Sequence, residues 1–366
     1  MSEDMTPPWT KLSQVRNSLR RSIFTFAREA HVEDILNPGL DDITATGADC
    51  SSYGLCCQHL SYRPKHLDAE SATLHGGRNM GNVRVVTDTI AQVPAEVAKE
   101  YMVEVVPAAT AVCDGKVLTD GVDLTLQVAY DCLARNPRGW LTSAISPRYF
   151  ASVFDKLAES TSDVVCVTVS SKLSAVYNVA TIAAEQAMND RHGLRVWVVD
   201  SLSAAGGEGL IALAAARAAM EGKSIDEVVS AAESARSRTH CMFVFDTIKF
   251  VYRTGRVPKI VGEAGDRLGV RPIARIGQDG KVHFVTLSRS RAKGVEQIMK
   301  TLRESDGYKP VDAVVVHTAA AADAEALKAR VEGEFECRSI FVSEFSPIMG
   351  YATGPGVLGV AVCSLV

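Results

Sequence analysis

VVCVTVSSKLSAVY, residues 164–177, sets the architecture. VVCVTV is a continuous apolar run, as in a strand buried on both faces; a half-exposed strand would alternate. SSKLS, residues 170–174, then supplies hydroxyls, and helical spacing continues to about residue 189. Strand, hydroxyl loop and helix in immediate succession form the repeating unit of a parallel sheet.

The same rhythm extends on both sides. VRVVTD (83–88) is a buried strand, and LRVWVVDS (194–201) precedes an Ala-rich helix over 204–221. VEVVPAATAV (103–112) reads as one strand, with Pro107 marking an edge or a bulge. Helices are expected over 123–135 and 147–159. The prediction is an α/β fold, a parallel sheet with helices on both faces.

The last third has another texture. A helix at 225–237 leads into CMFVFDT, then the Gly- and Arg-rich YRTGRVPKIVGEAG. RPIARIGQDGKVHFVTL reads as a hairpin turning at QDG. Helices at 291–304 and 320–333 alternate with DAVVVHT and CRSIFVSEF, and GVLGVAVCSLV forms a final strand. A second α/β domain with a mixed or antiparallel sheet and helices on one side is expected. The division is an extension at 1–80, a parallel-sheet domain at 81–240 and a second domain at 241–366.

Composition excludes several classes. Of 366 residues, 47% are hydrophobic and 22% charged, a globular balance, and the net charge is −4. Without a basic stripe, nucleic acid is not an expected partner. No apolar run reaches the ~18 residues of a membrane span; GLIALAAARAAM is short and carries Arg217. The acidic MSEDMTPPW is no secretory leader, so a cytoplasmic protein is expected, without stable membrane insertion.

The extension holds one amphipathic helix, with Leu12, Val15, Leu19, Ile23, Phe26 and Ala30 at helical spacing. Cys50, Cys56, Cys57 and His59 follow, with His66 and His75 beyond. These are weak metal candidates, because adjacent cysteines rarely share one tetrahedral ion. The other cysteines, Cys113, Cys132, Cys166, Cys241, Cys337 and Cys363, never form CxxC and are expected to be small buried hydrophobes.

Nucleotide motifs fail on context. GGEGLIA (206–212) fits GxGxxA, but its strand ends six residues earlier at Asp200, and the next acids, Asp226 and Glu227, sit at a helix start. Its glycines instead suit a helix packed tightly against its neighbours. EGKS (221–224) has Arg217 where a phosphate loop needs glycine, so Gly222 is expected to end one helix and Ser224 to cap the next. Neither GxSxG nor HExxH occurs.

Four hydroxyl-rich loops remain: TDT (87–89), TSAIS (142–146), SSKLS (170–174) and DSLSAAGG (200–207). In an open parallel sheet the strands' carboxyl ends face one crevice, where hydroxyls and helix N-termini favour an anion. Each Ser or Thr alone could be a helix cap. No histidine or carboxylate pair stands among them as a general base.

From about residue 83 to 366 the chain resembles the DegV family, the fatty-acid-binding subunits of bacterial fatty acid kinase. TDTIAQVP resembles TDSxADLP, TSAISP resembles TSQPSP, and SSKLSAVY resembles SSxLSGTY. VVDSLSAAGGEG resembles VDSxxxSxGxG, FVFDTIKFVYRTGRV resembles DTLxYLxRGGRI, and GPGVLGV resembles GPGxxG. Further stretches, VVPAATAVCDGKVLTDGVD and RPIARIGQDGKV, match in the same order.

The resemblance implies two α/β domains with a long-chain fatty acid between them and no catalysis by the chain itself. A separate kinase subunit would phosphorylate the bound carboxylate. No cofactor is implied beyond the fatty acid ligand. Carried over, Thr142 and Ser174 would hold the head group, with Ser143 and Ser171 nearby. Asp88 and Thr89 would sit at the mouth of the first strand. Arg253 and Arg256 would neighbour the ligand or dock the kinase.

Two departures touch the head group. GYATGPG puts Ala352 where the family has a histidine, and Ala175 replaces a glycine. Tyr351 could supply a replacement hydroxyl. Two other readings stay open. One is an acyl or phosphoryl transferase on this scaffold. The other is a redox- or metal-responsive regulatory module through the extension.

Overall fold

The computed structural model describes residues 82–135, 141–247, 249–256, 270–306 and 310–365. The N-terminal helix and Cys50, Cys56, Cys57 and His59 lie outside them. The chain begins with β1 (Val83–Asp88), α1 (Ala95–Glu100), β2 (Val103–Val106), β3 (Ala109–Cys113), β4 (Lys116–Thr119) and α2 (Leu126–Arg135). It continues with β5 (Leu141–Ala144), α3 (Pro147–Leu157), β6 (Asp163–Thr168), α4 (Val176–Asp190), β7 (Arg195–Asp200), α5 (Gly206–Met220) and α6 (Ile225–Arg238). Then come β8 (Thr239–Val244), α7 (Lys249–Arg253), β9 (Arg271–Ile276), β10 (Val282–Ser288) and α8 (Arg291–Asp306). The last elements are β11 (Val311–His317), α9 (Ala321–Glu334), β12 (Cys337–Glu344), α10 (Pro347–Thr353) and β13 (Leu358–Ser364).

Two large sheets organise these elements. The first is parallel throughout, in the order β2-β1-β6-β7. Its central β6 is buried along its whole length, as the apolar run 164–169 predicts. The second is mixed, in the order β10-β9-β8-β13-β11-β12, with β11 and β12 its parallel pair. All these elements belong to one compact unit, His75–Val366.

Burial explains the layering. Phe150 and Phe154 of α3 and Ala180, Ala184 and Ala187 of α4 pack on one face of the parallel sheet, against Val86, Val164 and Val196. The other face meets α5 and α6 in a core that also takes Phe243, Phe245, Val314 and Ala361 from the mixed sheet. Ile298, Met299 and Leu302 of α8 and Leu327 and Val331 of α9 cover the mixed sheet's far face. Helices therefore cover both faces of the mixed sheet, where a single covered side was expected.

Helix α5 lies between the sheets. It is apolar almost all round and most of its residues are buried, with Ala214, Arg217 and Ala218 on one half-buried face, as expected of a helix largely shut off from solvent. This is the GLIALAAARAAM stretch. Its one cation, Arg217, reaches out of the layer to Asp312 and Ser339 of the mixed sheet. The boundary after α5 follows expectation: Gly222 takes a positive φ of 78°, and Ser224 and Glu227 form a reciprocal capping box. Among the described residues no helix is long and apolar enough to cross a membrane.

Three sequence expectations change. VEVVPAATAV is two strands. Pro107 offers no N–H, and the Ala108 N–H donates to Thr89 Oγ1 at 3.0 Å instead of to a ladder. The chain therefore leaves the parallel sheet, and β3 joins a small antiparallel sheet, β4-β3-β5. Second, LTSA before the helix at 147 is itself a strand, β5, held by pairing with β3 although its side chains are largely exposed. Ser146 precedes α3 without a side-chain capping bond, while Pro147 takes the first turn.

Third, the cysteines divide. Cys166, Cys241 and Cys363 are buried free thiols, as expected, and Cys337 is half-buried. Cys113 at the end of β3 and Cys132 in α2 form a disulfide, with Cα atoms 6.0 Å apart. Their sequence separation of 19 gives no sign of this, because the turn at Asp114 and Gly115 folds the chain back between them.

Candidate functional site

A cavity of about 230 Å³ opens beyond the carboxyl end of β6, between the two sheets. Ile90, Val169, Phe243, Phe245, Val251, Phe345 and Ile348 supply its buried apolar wall. Ile276 and Val282, paired across β9 and β10, add half-buried aliphatic surface. Exposed or half-buried polar residues add to the lining, Thr142 and Ser143 of β5, Ser174, Thr254, Arg256 and Tyr351, while the buried Thr353 hydroxyl donates to Met349 O at 2.7 Å. Burial thus sorts the cavity into an apolar interior and a polar rim. Among the described residues, Arg256 is the one charged side chain on this lining, and none of them brings a carboxylate, imidazole, amine or thiol to it.

Two loops build the rim. After β6 the chain turns at Ser170, whose hydroxyl donates to Gly280 O of the β9–β10 hairpin at 2.8 Å and fastens the two sheets together. Ser174 follows as the chain enters α4; its amide donates to Ser170 O and its hydroxyl accepts from Val176 N at 3.4 Å. Arg256, just beyond α7, donates from Nε to Leu173 O at 3.2 Å, which holds the guanidinium beside Ser174. Burial raises the Tyr351 phenol above its usual range, while Arg253 and Arg256 pull it the other way.

The sequence-predicted residues therefore separate. Thr142, Ser143, Ser174, Arg256 and Tyr351 line one cavity. Ser171 lies beside it but not on the lining; its amide donates to Asp200 Oδ1. Arg253 is exposed, stacked over Phe250 at 5.9 Å. Asp88 is fully buried beneath the site and accepts from Ile90 N at 2.9 Å and Val169 N at 3.0 Å. Thr89 donates to Asp120 Oδ2 at 2.5 Å. Of the four hydroxyl loops, TSAIS and SSKLS contribute hydroxyls to the cavity. TDT spends its polar atoms on the Glu208 and Asp120 carboxyls and on the Ile90 and Val169 amides, and DSLS spends its own on backbone groups.

Two buried acids that motif reading missed support this floor. Asp120 receives the Thr89 hydroxyl and the Ile348 amide at 3.0 Å, joining the first strand's mouth to α10. Glu208, from the glycine-rich GGEG, is fully buried beside Asp88. Burial raises both carboxyls, Asp88 to about 6 and Glu208 well above the usual range, where the neighbouring Asp88 charge adds to the effect. Both shifts favour the protonated carboxyl, and the Asp88 oxygens accept the Ile90 and Val169 amides.

A raised folded-state acid contributes stability below its unfolded pKa and loses it as pH rises toward the folded value. Glu208→Gln keeps the shape and removes this titration. The variant's stability advantage over the parent is expected to grow as pH rises from about 5 to about 8, read by urea unfolding at each pH. An advantage that shrinks over that range refutes the neutral Glu208.

The DegV family profile matches residues 82–365. The chain belongs to the DegV family. A DegV domain-containing protein of Streptomyces coelicolor is 32% identical over 288 residues, 77% of this chain and 99% of the relative. Among solved structures, a fatty-acid-binding DegV family protein of Thermus thermophilus is similar at TM-score 0.69 and 27% identity, covering 78% of this chain and all of that one. A DegV family protein of Eubacterium eligens, loaded with heptadecanoic acid, has TM-score 0.68 at 19% identity, a likeness of fold. This DegV chain carries Ala175 and Ala352 on its cavity lining.

Proposed function

We propose that this DegV protein holds a long-chain fatty acid between its two α/β halves, residues 81–240 and 241–366, with the acyl chain in the cavity and the carboxylate at the rim. The observation that carries the reading is the division of the cavity into aromatic and aliphatic walls and a rim where, among the described residues, hydroxyls stand with the Arg256 cation. Apolar walls favour the chain by burial, and Thr142, Ser143, Ser174, Tyr351 and Arg256 offer donors to an anion. The fatty acid bound by the Thermus relative supports the same ligand class.

Among the described residues the lining sets no imidazole, amine or carboxylate beside Thr142 and Ser174, which supports binding of the head group. Exposure of Thr142 and Ser143 leaves the carboxylate within reach of a partner enzyme, in keeping with presentation to a fatty acid kinase subunit. With Ala352 on the lining, Tyr351 and Arg256 take the share of the carboxylate that the family's histidine holds.

Denaturing mass spectrometry of the purified protein is expected to release an acyl lipid, and oleate is expected to raise the melting temperature. Neither a lipid nor a shift would sink the reading. Removing both rim hydroxyls, Thr142→Val with Ser174→Ala, is expected to weaken oleate binding about 10- to 100-fold, the value of one or two hydrogen bonds to a charge. The fold should be unaffected, because neither side chain is buried.

A further inference from the structure

The disulfide partners stand where two walls of the cavity are built. Cys113 ends β3, whose neighbour β5 carries Thr142 and Ser143. Cys132 lies in α2, which packs on α10, the carrier of Ile348, Met349 and Tyr351. The approach of α2 to α10 is close: a Cβ on Gly350 would lie 2.5 Å from Leu126 and 3.1 Å from the Tyr130 hydroxyl. The bond thus joins the strand side of the rim to its helix side through one small core, which contains Ala109, Ala129 and Ile348.

We propose that Cys113 and Cys132 form a reversible redox site that tunes ligand binding, a proposal that rests on the fatty-acid reading above. The oxidised bond holds β3 and α2 in one position and preorganises the rim; reduction releases α2, and with it α10.

The surroundings suit reversible chemistry. Arg135 Nη2 lies 3.6 Å from Cys132 Sγ and 4.0 Å from Cys113 Sγ, and a cation there stabilises the sulfur anion released when the bond opens. Arg135 also pairs with Asp114 at 2.8 Å, and both flanking side chains are about half exposed. Both cysteines are themselves buried, and the half-exposed Arg135–Asp114 pair forms the cover that a small oxidant passes to reach the sulfurs. Burial raises the Cys166 thiol well above its usual range and the Cys241 thiol to about 12, which makes both poor nucleophiles.

The oxidant is a hydroperoxide. The Cys132 thiolate attacks its outer oxygen, the O–O bond breaks, and Cys132 becomes a sulfenic acid as hydroxide or alkoxide departs and takes a proton. The Cys113 thiolate then attacks the Cys132 sulfur, the S–O bond breaks, and hydroxide leaves as water. The two sulfurs give up two electrons and the peroxide accepts them. A dithiol reverses the step through a mixed disulfide.

Trypsin separates the two cysteines, because cleavage after Lys99, Lys116 and Arg135 gives peptides 100–116 and 117–135. Full-length protein, treated with hydrogen peroxide or dithiothreitol and alkylated, is expected to yield these peptides linked in the first case and separate in the second. Oleate is expected to bind the reduced protein at least about fivefold more weakly than the oxidised one. Cys132→Ser should show the weaker affinity under both treatments, which assigns the response to this pair rather than to Cys50, Cys56 or Cys57. Arg135→Gln should slow peroxide oxidation near neutral pH, with the deficit vanishing at alkaline pH.

Peptides that stay unlinked under peroxide, or that bind zinc through these sulfurs when reduced, overturn the proposal. So does equal oleate affinity in the two states. Failure of both states to bind oleate instead overturns the fatty-acid reading, and the coupling with it, while the peptide map still reports whether the bond forms.

Discussion

Gly209→Ala is expected to destabilise the protein by about 3 kcal/mol or more, although Gly→Ala inside a helix ordinarily gains about 1 kcal/mol. The reversal comes from position. A Cβ at 209 would stand 2.4 Å from the carbonyl oxygen of Ala91 and 3.5 Å from its carbon, so the clash is with backbone in the turn after β1. Rotating a side chain cannot relieve it. Nor can α5 withdraw, because Leu210, Ile211 and Leu213 are buried in the layer between the sheets.

Gly333→Ala is the control. Gly333 is an exposed helical glycine with nothing within 4 Å of an added Cβ, so Ala should gain about 0.5 kcal/mol or more from propensity alone. Urea midpoints of the two variants should move in opposite directions. A Gly209→Ala midpoint at or above the parent's would mean that α5 is not clamped against β1. The turn at Ala91 also connects Asp88 and Thr89 to the cavity wall at Ile90, so the clash falls directly beneath the site.

The legibility of this architecture in the sequence depended on burial. VVCVTV and VRVVTD are covered on both faces, so an unbroken apolar run marked them. β5 escaped notice because Leu141, Thr142 and Ser143 are exposed and only backbone pairing makes them a strand. Pro107 was visible as an irregularity. Its consequence, the transfer of β3 into another sheet, depends on where the Ala108 N–H finds an acceptor, and Thr89 is 19 residues away.

The site was readable in the same uneven way. Hydroxyl loops after strands drew attention to all four carboxyl-end turns, but a side chain that can hold an anion can equally satisfy a buried amide. Asp88 and Thr89 have the chemistry of a binding site and spend it on Val169, Ile90 and Asp120. Glu208 showed the opposite pattern: an acid between glycines reads as surface until the first turns of α5 are known to be buried between the sheets. The aromatic wall from Phe243, Phe245 and Phe345 came from strands read only as sheet. Nothing local in a strand tells which face meets a cavity.

Val282→Trp is expected to abolish fatty acid binding, lowering oleate affinity by about 100-fold or more while leaving the fold intact. Val282 begins β10, opposite Ile276, and both side chains line the cavity half-buried. An indole there projects into space that the acyl chain would occupy. A cavity of about 230 Å³ cannot hold both, and the loss of burial along the chain is worth about 0.8 kcal/mol for each methylene displaced. The fold tolerates the larger ring because the added atoms enter open volume rather than packed core, where overpacking costs about 1–3 kcal/mol. The comparison with Thr142→Val plus Ser174→Ala divides the ligand into its parts. The rim variant should weaken acids of every chain length by one similar factor, since it removes head-group bonds alone. Val282→Trp should penalise long acids far more than short ones. Equal affinity of Val282→Trp and the parent for oleate would place the acyl chain elsewhere.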